Sequence, residues 1–109
     1  MILVKITMNS SADKQKEVMQ TLLSMIESSE SQQGCQSFEI YQNIDKKSIF
    51  CLLEEWATRE DLICHLKSKL FGALLGARTL LEEPFKIQIF TVSHIEKKEI
   101  LESANILTI

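Results

Sequence analysis

Trp56 and His65 are the residues of this chain whose types and spacing best suit chemistry. Trp56 closes the apolar run Ile49-Phe50-Cys51-Leu52-Leu53-Glu54-Glu55-Trp56, and His65 stands on the element that follows. An indole offers a flat face for stacking and an N–H for a substrate oxygen. An imidazole, with an ordinary pKa of about 6.5, suits proton abstraction from a phenol or quinol. Together the two could frame a pocket for a flat organic molecule. Each also has a plainer reading. Trp56 could be a core residue closing the sheet edge. His65 could be a helix-surface partner of Asp61, a pair worth roughly a few tenths of a kcal/mol. With Leu62 at zero degrees, Leu66 falls at about 40° and His65 at about −60°, on the border of the apolar stripe.

The remaining candidates carry less. Glu54 and Glu55 are adjacent on a strand and face opposite sides, so they cannot act as a dyad. One is expected in solvent and the other beside a lysine or arginine, for which Arg78 is available. Cys64 lies about 100° round the helix from His65, which disfavours a Cys–His nucleophile pair. Phe38, Tyr41, Leu52, Leu66 and Phe71 are the candidates for lining a pocket. Phe38 and Tyr41 point to opposite faces, so at most one of them lines a given pocket. Asn9 stands beside Ser10 and Ser11 in an expected turn. His94 has no visible partner.

The elements that must position these residues follow from periodicity. Alternating apolar positions predict strands over 2–8, 35–43, 49–56 and 85–92. Val18, Leu22, Met25 and Ile26 recur at helical spacing, after Ser10 or Ser11 as cap and before the polar stretch ending at Gly34. Thr58 can cap a second helix, with Asp61 three residues on. Phe71, Leu74, Leu75 and Leu81 predict a third helical stretch over 70–81, ended by Pro84. Residues 96–103 are read as a short terminal helix, before an apolar tail. The order βαββαβ is that of a ferredoxin-like α+β sandwich, four antiparallel strands with helices on one face. One domain is expected over residues 1–95, with a C-terminal extension over 96–109.

Composition narrows the class. The chain has 109 residues, 45% hydrophobic and 25% charged, with a net charge of −3. Acids and bases are interspersed, and no basic patch points to nucleic acid. No apolar run approaches the roughly 20 residues of a membrane span. Cys35, Cys51 and Cys64 are odd in number and lack metal-type pair spacing. They read as reduced structural thiols, which implies a cytoplasmic location and no metal. The third strand is apolar on both faces: Phe50 and Leu52 on one, Ile49, Cys51 and Leu53 on the other. Helices can cover only one face. A second copy packed sheet to sheet is the simplest cover for the other, so a homodimer is expected, closing into a barrel.

These residues resemble the antibiotic biosynthesis monooxygenase family over about residues 2–93. The resemblance rests on Gly34-Cys35 leading into Phe38 and Tyr41. It rests further on Glu54-Glu55-Trp56, Glu60-Asp61-Leu62, His65-Leu66, Ser68, Phe71 and the leucine-rich helix ending at Pro84. The Glu-x-Trp, with His nine residues after the tryptophan, is its most specific part. The resemblance implies a dimeric α+β barrel with one pocket per subunit between sheet and helices, lined by the Trp. It includes oxygenases that act on quinols or polyketide phenols without metal or flavin, haem-degrading enzymes, an isomerase, and members with no known substrate. Haem degradation is disfavoured here by the turn position expected of Asn9. The expected activity is a cofactor-independent monooxygenase, oxidising a small phenolic or quinol-type aromatic with O₂. A non-oxidative isomerase and a non-catalytic ligand-binding dimer are the alternatives.

Overall fold

Alternation sets the sheet. β1 (Ile2–Asn9), β2 (Cys35–Gln42), β3 (Ile49–Trp56) and β4 (Lys86–Thr91) form one sheet in the order β2-β3-β1-β4, every pairing antiparallel. Among the described residues, three helices complete the βαββαβ plan: α1 (Gln15–Glu30), α2 (Arg59–Leu66) and α3 (Lys69–Gly76). This is the expected ferredoxin-like α+β fold. The computed structural model describes residues 1–99.

Register aligns the inner face. Ile2, Val4, Ile6 and Met8 of β1 oppose Trp56, Glu54, Leu52 and Phe50 of β3. Phe38 and Ile40 of β2 oppose Glu54 and Leu52 from the other side. Val18, Leu22 and Met25 of α1, Leu62 of α2, and Phe71 and Leu74 of α3 close over this face. The core is therefore one apolar layer between sheet and helices, with a single carboxylate, Glu54, set into it. The other face of the sheet carries Leu3, Ile49, Cys51 and Leu53, all half-buried, and Phe90, 43% exposed.

Local chemistry explains the boundaries. Thr58 caps α2: its hydroxyl accepts the Asp61 N–H at 3.1 Å and donates to the Asp61 carboxylate at 2.9 Å. Ser68 caps α3 by accepting the Phe71 N–H. Asn43 Oδ1 accepts from the N–H groups of Asp45 and Lys46 and so folds the β2–β3 hairpin.

Four expectations at boundaries are corrected. Neither Ser10 nor Ser11 caps α1, which starts after Lys14 without a side-chain cap. Ser10 is instead buried and bridges to Leu81. Asn9 lies in β1 rather than in a turn, so a turn position no longer counts against haem degradation; it pairs with Ile49 on the face opposite Met8 and Trp56. The helix over 70–81 ends at Gly76 and tightens into a 3-10 turn, Ala77–Leu80, which brings Leu81 back to Ser10. Residues 96–99 carry no helix, and the rest of the expected terminal helix lies outside the described residues. Among the described residues, no helix is long and apolar enough to cross a membrane.

Gly34 joins the α1–β2 loop to α2. Its φ of 81° lies in the left-handed region. A Cβ there would stand 2.1 Å from Asp61 Oδ2 and 2.6 Å from Asp61 Cβ. Its carbonyl also accepts the Ala57 N–H at 2.8 Å. Gly34→Ala is expected to lower the unfolding free energy by about 3 kcal/mol, combining left-handed strain with displacement of the Asp61 cap. Urea unfolding of the variant beside the parent measures this.

Candidate active site

Strand parity puts Glu54 and Trp56 side by side on the inner face. Trp56 is fully buried, and its indole N–H donates to Glu54 Oε1 at 2.8 Å. His65 approaches from α2 with its ring centroid 4.6 Å from that of Trp56 and a 30° tilt. Phe71 of α3 meets the other side of the imidazole edge-on at 5.5 Å. His65 Nε2 lies 3.6 Å from Glu54 Oε1. On its far side, His65 Nδ1 meets Gln32 Oε1 at 2.5 Å. The result is a polar chain, Gln32–His65–Glu54–Trp56, half-buried at Gln32 and buried from His65 onward, inside an otherwise apolar layer.

The chain has a chemical direction. The Gln32 oxygen can only accept, so it places a proton on Nδ1. The other ring nitrogen, Nε2, faces Glu54 Oε1. Neither Nε2 nor Glu54 Oε2 has a hydrogen-bond partner among the described residues, although both are buried. The Glu54 carboxylate faces the positive charge that the ring would acquire on taking a proton. This is the arrangement of a base held between an orienting group and a counter-charge.

Trp56 and His65 both line a cavity of about 380 Å³. Its remaining walls are Gln32 and Gln33 from the α1–β2 loop and Glu60, Asp61 and Cys64 from α2. That volume suits a small aromatic molecule. Among the described residues, no group of three or more His, Cys, Asp or Glu side chains is arranged to hold a metal ion.

Several expectations change with this geometry. His65 is not on a helix rim paired with Asp61. It is 2% exposed and faces Glu54 and Gln32, while Asp61 is engaged by Thr58. Glu54 pairs with Trp56 and His65 instead of a lysine or arginine. The indole N–H is committed to Glu54, and the ring is packed against His65, so Trp56 builds the cavity wall rather than offering a ligand a hydrogen bond. Tyr41 is 49% exposed on the opposite sheet face, where it bonds Glu39. Leu52 is sealed in the core and does not line the cavity. Phe38 lines a separate groove between α1 and β2, Leu66 packs on the core, and Phe71 reaches the site only by supporting His65. His94 has a partner after all, Glu96 at 3.4 Å.

Two members of the polar chain escape a reading by residue type. Glu54 carried a usable signal, since it stands two positions before Trp56 on the same strand face. Gln32 carried none, because it reaches His65 from a loop 33 positions away.

The cysteines report on this environment. Cys35 is held above the usual thiol range, first by burial and then by the nearby Glu54 carboxylate. Cys51 is raised by burial on the open sheet face. Cys64 is exposed at the cavity. A short iodoacetamide pulse at neutral pH is expected to label Cys64 first and Cys35 and Cys51 severalfold more slowly, read by peptide mass mapping.

Comparison with known proteins adds a sequence and a structural match. Residues 1–76 match the family model described as antibiotic biosynthesis monooxygenase. The curated proteins gave no match. Among solved structures, a candidate antibiotic biosynthesis monooxygenase from Deinococcus radiodurans superposes with a TM-score of 0.83 at 17% identity, covering 91% of this chain and 99% of its own. A similar candidate from Nitrosomonas europaea gives 0.81 at 22% identity, over 86% of this chain and all of its own, 100%. A conserved protein from Methanosarcina mazei gives 0.77 at 27% identity, over 82% of this chain and 89% of its own.

Proposed function

The chain belongs to the antibiotic biosynthesis monooxygenase family, and from that premise we propose that it oxidises a small phenol or quinol with O₂ without a cofactor. The observation that carries this reading is the polar chain Gln32–His65–Glu54–Trp56 at the wall of a cavity sized for one aromatic ring. The substrate ring lies in the cavity against the wall that Trp56 and His65 build together. His65 Nε2 takes the phenolic proton, and Glu54 balances the charge left on the imidazole. Gln32 keeps the other ring nitrogen protonated, so the lone pair stays at Nε2. The phenolate is a better reductant than the phenol and passes an electron to O₂. Recombination of the resulting pair forms a C–O bond, and loss of water leaves a quinone. No outside reductant enters the balance.

The reaction requires oxygen, which separates it from an isomerase built on the same cavity. Turnover of a quinol and phenol panel is expected in air and not under argon. Equal product under argon favours the isomerase; ligand binding without product favours a binding protein.

The protein is further proposed to be a homodimer through the open sheet face. Leu3, Ile49, Cys51, Leu53 and Phe90 supply an apolar surface there that, among the described residues, no helix covers. Sedimentation equilibrium is expected to give twice the chain mass, and Leu53→Arg to give one. A single-chain mass for the parent at micromolar concentration would remove the dimer.

A further inference from the structure

The cavity wall has a charge pattern with consequences for what it admits. Two carboxylates, Glu60 and Asp61, stand among its lining residues, beside the amides of Gln32 and Gln33. Among the described residues, no lysine or arginine lines it. Behind the wall lies a third carboxylate, that of Glu54. Acidic side chains alone would not define a ligand site. Here an independent observation does: His65, 2% exposed, lines the same cavity, and its Nε2, 3.6 Å from Glu54 Oε1, has no hydrogen-bond partner among the described residues.

The N-terminus of α2 offers one opposing effect. Helix N-termini attract anions through their free N–H groups and a partial positive charge of about half a unit. In α2 that field is already answered. Thr58 accepts the Asp61 N–H, and Glu60 and Asp61 sit in the first turn as full negative charges. The charged side chains that line the cavity are therefore both acidic.

Resting on the reading of this cavity as a substrate site, we infer that Glu60 and Asp61 make it selective by charge, admitting cationic and neutral aromatic rings and rejecting carboxylates. The preferred ligand carries a hydrogen-bond-donating group toward His65 and an ammonium or neutral substituent toward Glu60. Ammonium-bearing phenols are thus favoured over phenolic acids of the same size.

The chain has one tryptophan, so its indole N–H gives a single resonance from the wall of this cavity. The test is a titration of the full chain at low salt with three matched para-substituted phenols: tyramine, 4-ethylphenol and 4-hydroxyphenylacetate. The expected order of affinity is tyramine, then 4-ethylphenol, then 4-hydroxyphenylacetate. The outer pair should differ by about tenfold, the scale of one near-surface charge pair. Glu60→Lys, at an exposed position, is expected to abolish or reverse that order. Equal affinities in the parent, tightest binding of the acid, or an order unmoved by Glu60→Lys would overturn charge selectivity while leaving the cavity as a binding site. No shift of the indole resonance with any of the three would overturn the site reading and this inference together.

Discussion

Trp56→Ala is expected to cost about 3 to 5 kcal/mol of stability, the range for removing a large buried aromatic. Trp56 has no exposed surface and joins β3 to α2 through its ring contact with His65. Its loss removes both the volume and the N–H that satisfies Glu54 Oε1. Trp56→Phe separates the two effects. It keeps most of the ring and leaves Glu54 without its donor, at a cost of about 1 to 3 kcal/mol. Chemical denaturation of both variants measures the difference. A Trp56→Phe protein as stable as the parent would mean that the indole–carboxylate bond contributes nothing.

His65→Ala is expected to lower kcat/KM for a phenol by about 10² to 10⁴, the range for removing a positioned base. Gln32→Leu should have a smaller effect in the same direction, because it frees the tautomer of His65 without removing the ring. Glu54→Gln keeps an acceptor for the indole N–H but removes the charge facing the imidazole. It should therefore lower turnover while largely preserving the Trp56 contact. Together the three variants sort the chain into base, orienting group and counter-charge. Equal losses in all three, accompanied by equal losses of stability, would indicate a purely structural network.

Much of this molecule is legible from its alternation. The apolar positions of β1 and β3 define both the strands and the face that the helices cover. The Thr58 cap of α2 follows from residue type and spacing, as does the hairpin at Asn43. The departures have physical causes. Hydrophobic periodicity counts apolar residues, so a polar side chain satisfied within the core is invisible to it. That is why His65, placed by angle at the edge of the stripe, in fact turns fully inward. The sheet sets a carboxylate 3.6 Å from its Nε2 and the α1–β2 loop an amide oxygen against its Nδ1, while Asp61 is taken by Thr58. Asp61 is held by Thr58 and backed by Gly34, a contact between elements far apart in the chain. Ser10 misleads for a similar reason, since a serine after a strand suits a cap but here is buried against Leu81. The family resemblance pointed to Trp56 and His65; the company they keep, Glu54 and Gln32, comes from the register of β3 and the path of one loop.

Oxygen uptake with a panel of phenols and quinols, run side by side on the parent and on folded His65→Ala protein, bears most directly on the central claim. The buried base at the cavity predicts O₂ consumption by the parent, matched to quinone formed, and a loss of about a hundredfold or more in the variant. Equal uptake by the two proteins would contradict it.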